Sequence, residues 1–467
     1  MPLNENPQAN AVPSESESAA TTRRDFVKHS SVAALTGAAV VTGLNPALGV
    51  HVSGDDEIKV ALIGCGSRGR GAALQALRTA GKVKLWAMAD AFGSKVRSCL
   101  EGLQNDLLED AGKGEVPVAE RIDVPEERQF AGFDAYQQAI DSGVDLVVLT
   151  TPPAFRPIEI EAAVEAGKHV FMEKPLAVDG PGVRRVMAAG KKATEKGLAV
   201  GVGLQRHHDP KYIEAIDRIH NGDLGDVLLT RAYWNGGSIW VRTRSDFERA
   251  EGHAPTEMEY QVFNWYYFNW LSGDHIVEQH IHNLDVSNWV KNAAPVEANG
   301  MGGRQVRTGK GTGHIFDHHA VEYRYADGST MLSQCRQQPG CWSQVAEYAA
   351  ATNGSAALHR GQMQIGDKKW KYKGAPIDPY QQEHDDLFAA IRAGKPYNEA
   401  QYGAESTLTA IMGRMATYSG KLVSWEDALN SEVDLSPSVY DFAANPPVMP
   451  DASGAYPVPT PGKSRVV

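Results

Sequence analysis

The stretch IKVALIGCGSRGRG, Ile58 to Gly71, constrains the fold of this chain more than any other. A six-residue apolar run ends at three spaced glycines, and the helical pattern AALQALRTA follows directly. Gly64 allows the tight turn, Gly66 lets a ligand approach the backbone, and Gly69 lets helix and strand pack closely. Ser67 and Arg68 complete the turn, and the free N–H groups at the helix start would face phosphates. A second strand-like run, VKLWAMAD, stops at Asp90, about twenty residues beyond the last glycine, where an acid accepts hydrogen bonds from the adenosine ribose. The pattern therefore reads as a dinucleotide-binding turn. Asp90 favours NAD because a 2′-phosphate would meet its charge; Lys95 and Arg68, close by in sequence, soften that preference and leave NADP open.

Alternation of strands and helices continues. VDLVVLTTPP, HVFMEKP and LAVGVGLQRHH are strand-like and separated by helical runs, which predicts parallel pairing through right-handed crossovers and a doubly wound sheet. Ligands in such sheets bind beyond the carboxyl ends of the strands, where Thr150, Thr151, Pro152, Glu173, Lys174, Gln205, Arg206 and His207 fall. After Gly225 the runs alternate apolar and polar residues around one helical segment, Asp274 to Lys291, which predicts an α+β domain on a largely antiparallel sheet. The expected layout is a dinucleotide-binding domain over 56–208, an α+β substrate and oligomerisation domain over 209–430, and an extended arm over 431–467 that contains seven prolines.

With 467 residues, 42% of them apolar, the chain can fill a sizeable core in each domain, and its net charge of −11 disfavours nucleic acid as a partner. Four cysteines are too few for a disulfide framework, although Cys335 and Cys341 are close enough to pair across a turn. Arg23 and Arg24 precede a weakly apolar Ala- and Gly-rich stretch ending near Gly49, in the order of a twin-arginine export signal over residues 1–50. Its apolar part is short for a membrane span, so cleavage, a mature chain without a span and a periplasmic location are expected.

The combination of VALIGCGSRGRG, Asp90, LTTPP, the tripeptide EKP at Glu173 to Pro175 and HIVEQHIHNLD at His275 to Asp285 resembles the glucose-fructose oxidoreductase / inositol dehydrogenase / MocA family. The resemblance covers about Ile58 to Glu432 and implies a Rossmann domain, a second domain with an open sheet that commonly makes the oligomer interface, bound NAD or NADP, and sugar, cyclitol or polyol substrates. A homo-oligomer, dimer or tetramer, is implied with it. Lys174 takes the place of the family's EKP lysine, His282 that of its catalytic histidine, and Glu278 that of the aspartate four residues earlier. Glu278, and His280 where the family often has glycine, are departures.

Oxidation of a secondary alcohol removes a hydride from carbon and a proton from oxygen. A neutral His282 suits the proton, and Lys174 suits the developing alkoxide. On one continuous helix, Glu278, His282 and Asp285 would share a face, with the acid orienting the imidazole. Arg206, His207, Trp270 and Asp285 are candidates for substrate contact, with Trp265 and Tyr267 as further aromatic platforms for a sugar ring. His275, His280 and His282 invite a metal reading, but His280 would point about 200° from His282 on a helix, and no metal is expected. Twin-arginine export carries folded proteins, so the nicotinamide cofactor is expected to be tightly bound. Two further functions fit these residues: a redox-neutral NAD-dependent glycoside hydrolase or lyase working by oxidation, elimination and reduction, and a noncatalytic sugar-binding protein.

Overall fold

The computed structural model describes residues 56–111 and 118–466. The export signal read over residues 1–50 lies outside them. Six strands form a parallel sheet in the order β3-β2-β1-β4-β5-β6: β1 (Ile58–Ile63), β2 (Val83–Asp90), β3 (Gln129–Ala131), β4 (Leu146–Leu149), β5 (His169–Met172) and β6 (Val200–Val202). The reversal of strand order lies between β1 and β4, which places a ligand crevice at their carboxyl ends. Both faces of this sheet are buried, which explains the continuous apolar runs in its strands. Val147, Leu149, Val170 and Met172 enter one core layer, whereas their neighbours Leu146, Val148 and Phe171 enter the other.

The glycine turn needs its glycines. Gly64 has φ +100°, a region that L side chains rarely adopt, and a Cβ on Gly69 would overlap the carbonyl oxygen of Gly64. Helix α1 (Ser67–Leu77) starts there, and α2 (Gly93–Ala111) follows β2. The layer containing α1 and α2 is completed from far along the chain by α3 (Pro379–Arg392), whose Leu387, Phe388 and Ile391 pack against it.

The second sheet adds β7 (Val227–Gly236), β8 (Glu297–Gly303), β9 (His318–Arg324), β10 (Thr330–Gln337), β11 (Gln344–Ala351), β12 (Gly354–Ala357), β13 (Gln362–Ile365), β14 (Lys368–Lys371) and β15 (Val423–Ser424). The order in this sheet is β14-β13-β12-β11-β7-β10-β9-β8-β15, all antiparallel except the β10–β7 pair. Its central strands β7 (Val227–Gly236), β9 (His318–Arg324) and β10 (Thr330–Gln337) lie against helix α4 (Ala400–Ser419) and the segment after Asp274. In β9 and β10 every second residue is buried, and the remaining face carries the exposed Ala320, Glu322, Leu332 and Gln334. The nearly all-buried helix α4 contributes Leu408, Ile411, Met412 and Met415 to a core cluster that also contains Leu149 and Met172 of the first sheet and Val321 and Met331 of the second.

Two expectations are corrected here. Cys335 is buried and Cys341 exposed, and both are free thiols. The segment from Asp274 to Lys291 is two helices, α5 (His275–Glu278) and α6 (Ile281–Lys291), because Asp274 enters at φ +71° and the His280 amide bonds back to the His275 carbonyl. The arm after Ser431 lies on its own chain, with Leu435, Tyr440, Phe442, Val448 and Tyr456 packed into an aromatic cluster around Phe92, Phe155 and Phe268.

Gly69→Val is expected to destabilise the protein by about 1–3 kcal/mol through forced separation of α1 and β1. A chemical denaturation midpoint equal to that of the wild type would contradict so close an approach.

Candidate functional site

A cavity of about 310 Å³ opens beyond the carboxyl ends of β1, β2 and β4. Gly64, Gly66, Ser67, Arg68 and Gly69 of the turn line it, together with Asp90 and with Thr150, Thr151 and Pro152 after β4. Gly66 caps α1 without any side chain, and a Cβ there would meet nothing within 4 Å, so the first-turn N–H groups are open to the cavity. That is the arrangement a dinucleotide pyrophosphate requires, and these residues fit the group. Asp90 accepts hydrogen bonds from the Cys65 amide at 2.6 Å and the Phe92 amide at 3.1 Å, and burial raises its carboxyl above the ordinary range. The opposite wall comes from the second half of the chain: Trp240, Arg242, Val262, Phe263 and Trp265.

At the end of β5, Lys174 reaches across to the break between α5 and α6. Its Nζ donates to the carbonyl oxygen of Glu278 at 2.6 Å and to its Oε1 at 3.0 Å. The expected helical face of Glu278, His282 and Asp285 is thereby corrected: the helix breaks after Glu278, and the Glu278 carboxylate holds Lys174 rather than orienting the imidazole. His282 sits 5% exposed with its ring stacked on Trp234 at 5.9 Å. Burial, reinforced by the positive charges of Lys174, Arg206 and Arg68, keeps His282 well below the usual histidine range and therefore neutral at physiological pH.

Several other candidates are engaged elsewhere. Arg68 lines the cavity yet is ion-paired with Glu173, bonds Gln75 at 2.9 Å, and lies over the Tyr380 ring at 4.9 Å. Gln205 donates to the Tyr380 hydroxyl at 3.0 Å and is buried. Arg206 donates to the buried Glu347 at 2.6 Å, a carboxylate that also takes Tyr212 and Asn283. His207 bonds Asp285 at 2.9 Å between the rings of Trp289 and Tyr402, and Asp285 also accepts from Ser406 at 2.8 Å. The substrate role read for Asp285 is corrected to a buried anchor of His207. Trp270, 2% exposed and donating to Gln261 at 2.7 Å, is a core residue and not a sugar platform. Trp265 lines the nucleotide cavity, and Tyr267 is buried.

The histidine-rich segment does bring Asp274, His275 and His319 together, one ligand atom from each lying within 4.8 Å of the others. Asp274 is already saturated, taking His275 Nδ1 at 2.7 Å, the Phe316 amide at 2.9 Å and the Tyr418 hydroxyl at 2.6 Å. The cluster is thus a buried hydrogen-bond hub that fixes the entry of α5. Two cavity residues had no local signature. Arg242 follows β7 in an aperiodic loop, and Glu159, pushed up to about 7 by burial, receives the Thr151 hydroxyl at 2.6 Å.

Residues 58–204 match the family model described as an oxidoreductase family with an NAD-binding Rossmann fold, Gfo/Idh/MocA. Over that stretch the chain is similar to the Gfo/Idh/MocA family. It is 30% identical over 169 residues to the scyllo-inositol 2-dehydrogenase (NAD(+)) of Bacillus subtilis strain 168, a stretch covering 36% of this chain and 42% of that protein. It is 33% identical over 141 residues to the myo-inositol dehydrogenase Hyg17 of Streptomyces leeuwenhoekii, covering 30% of this chain and 41% of that one. The matches therefore span about two fifths of the length of these curated relatives. The fold is shared over a longer range: the aldose-aldose oxidoreductase of Caulobacter crescentus, at 18% identity, covers 79% of this chain and 100% of its own with a TM-score of 0.59.

For any reaction in which His282 would accept a proton, the sign of its shift sets the pH dependence. A depressed pKa keeps the imidazole unprotonated below its ordinary value near 6.5. The acid limb of a kcat/KM profile is expected to lie below pH 6.5, and a limb at or above that value would contradict the buried neutral state.

Proposed function

We propose that this chain is an NAD(P)-dependent oxidoreductase that transfers a hydride from a secondary alcohol of a cyclitol, sugar or related polyol. The observation that carries the reading is the clasp of Lys174 by Glu278, which brings the end of the nucleotide-binding sheet to the segment that bears His282. A bound nicotinamide supplies the hydride acceptor. Everything else is the work of side chains. Two of the three Lys174 ammonium hydrogens are taken by Glu278, which fixes the amine and leaves one to donate to the substrate oxygen. That donation stabilises the alkoxide charge as the carbon–hydrogen bond breaks. Neutral His282 accepts the hydroxyl proton. The inositol dehydrogenases among the relatives support a cyclitol as the first substrate class to try.

Tight retention of the cofactor belongs to the same proposal. Trp240, Phe263 and Trp265 roof the cavity, and Phe442 of the C-terminal arm stacks on Phe92 in its wall at 5.6 Å. An enclosed, aromatic-lined site slows release. The twin-arginine pattern supports export to the periplasm with the cofactor already loaded. The exposed face of the second sheet, carrying Met301 and Leu332, supports a homo-oligomer, a dimer or tetramer.

Absorbance at 340 nm tests the reaction. A panel of inositols and aldoses added to the protein with NAD⁺ or NADP⁺ is expected to include one that produces reduced cofactor. Lys174→Ala and His282→Ala should each reduce the rate by roughly 10²–10⁴-fold. Sugar consumption with no net reduced cofactor would replace this reading with the redox-neutral one, and full activity of both variants would overturn the site.

A further inference from the structure

We propose that Lys95 and Arg242 form a subsite for the 2′-phosphate of NADP(H), so that the phosphorylated cofactor is held at least as tightly as NAD(H). The proposal rests on the dinucleotide reading of the same cavity. Lys95 stands on α2, just after β2, and Arg242 arrives from the loop after β7. Both line the cavity beside Asp90, the position that a Rossmann fold sets against the adenosine ribose. The pyrophosphate has its own donors in the first turn of α1, so these two cations are not needed there.

Carboxylates attract these cations without closing on them, and the Arg242 guanidinium donates to the Phe263 carbonyl oxygen at 3.4 Å. Both side chains are half-buried, and among the described residues neither makes an ion pair within 4.0 Å with a carboxylate. The Arg242 guanidinium lies over the rings of Trp240 and Phe263, 4.8 and 5.1 Å from their centroids, while its backbone amide donates to Asn264 Oδ1 at 3.0 Å. Lys95 Nζ is 5.1 Å from the same Phe263 ring. Each therefore rests on a packed aromatic surface that fixes its place, and the two share one ring between them. Burial, and then the neighbouring cation, lowers the Lys95 ammonium below its ordinary range. Glu251 and Asp246 attract these cations from outside the cavity lining. Asp90 is the one carboxylate lining the cavity next to them, and both of its oxygens already take backbone amides. Two partly desolvated cations facing one engaged carboxylate are suited to a dianionic phosphate, which only the phosphorylated cofactor carries at this position.

Isothermal titration of nucleotide-stripped full-length protein tests this without reference to turnover. NADP⁺ is expected to bind no more weakly than NAD⁺. Arg242→Gln and Lys95→Gln should each weaken NADP⁺ by roughly tenfold or more, with NAD⁺ changed by less than about twofold, and Arg242→Lys should restore part of the loss. A wild type that prefers NAD⁺ by more than about tenfold, or variants that weaken both nucleotides equally, would overturn the subsite while leaving the dinucleotide reading intact. Binding of neither nucleotide would instead remove the reading on which the subsite rests.

Discussion

The contact between Lys174 and Glu278 holds the site together. Lys174 lies two residues beyond a strand of the parallel sheet, and Glu278 ends a four-residue helix that leads into the second half of the molecule. The contact exists because the helical segment breaks: the turn at Gln279 and His280 presents the Glu278 carbonyl sideways to the ammonium, while the carboxylate of the same residue closes on it. The start of that helix is fixed by Asp274, through its positive φ and saturated carboxylate. A buried hub some way from the chemistry thus sets the position of the amine.

Around that contact, buried ion pairs set which side chains stay available. Arg68, in the first turn of α1, and Arg206, after β6, lie where a ligand would be expected to meet them, yet Glu173 and Glu347 hold each one. Removing either acid would leave a buried charge uncompensated, so these pairs read as scaffolding for the site. Lys95 and Arg242, by contrast, rest on aromatic rings, and among the described residues no carboxylate forms an ion pair within 4.0 Å with either. A cation in a cavity without a close ion pair suits a ligand's negative charge.

Much of the nucleotide half was legible in the sequence because its constraints are local. The spacing of Gly64, Gly66, Gly69 and Asp90 is set within one strand–turn–helix–strand stretch, where Gly69 closes on the Gly64 carbonyl and Asp90 takes the Cys65 amide, and the buried strands announce themselves as apolar runs. The helix break was not legible: HIVEQHIHNLD has an unbroken helical pattern, and only the folded chain, in which Lys174 takes the Glu278 carbonyl, shows the turn at Gln279 and His280. Trp270 and Asp285 were misplaced for a related reason. Residue type suggests a sugar platform or a substrate carboxylate, but packing against Phe155 and pairing with His207 are decided by distant segments. Arg242 lies more than 150 residues from Asp90 and carries no pattern of its own, so only the folded chain brings it to the cavity.

The central claim is that a hydride leaves a carbinol carbon held by Lys174 and His282. A cyclitol deuterated at its carbinol carbons, incubated with the protein and nicotinamide cofactor, tests this directly by mass spectrometry of the recovered nucleotide. The account predicts one deuterium on the nicotinamide ring with the wild-type protein and none with Lys174→Ala. Deuterium kept on the cyclitol, or lost to solvent while the nucleotide stays unlabelled, would contradict it.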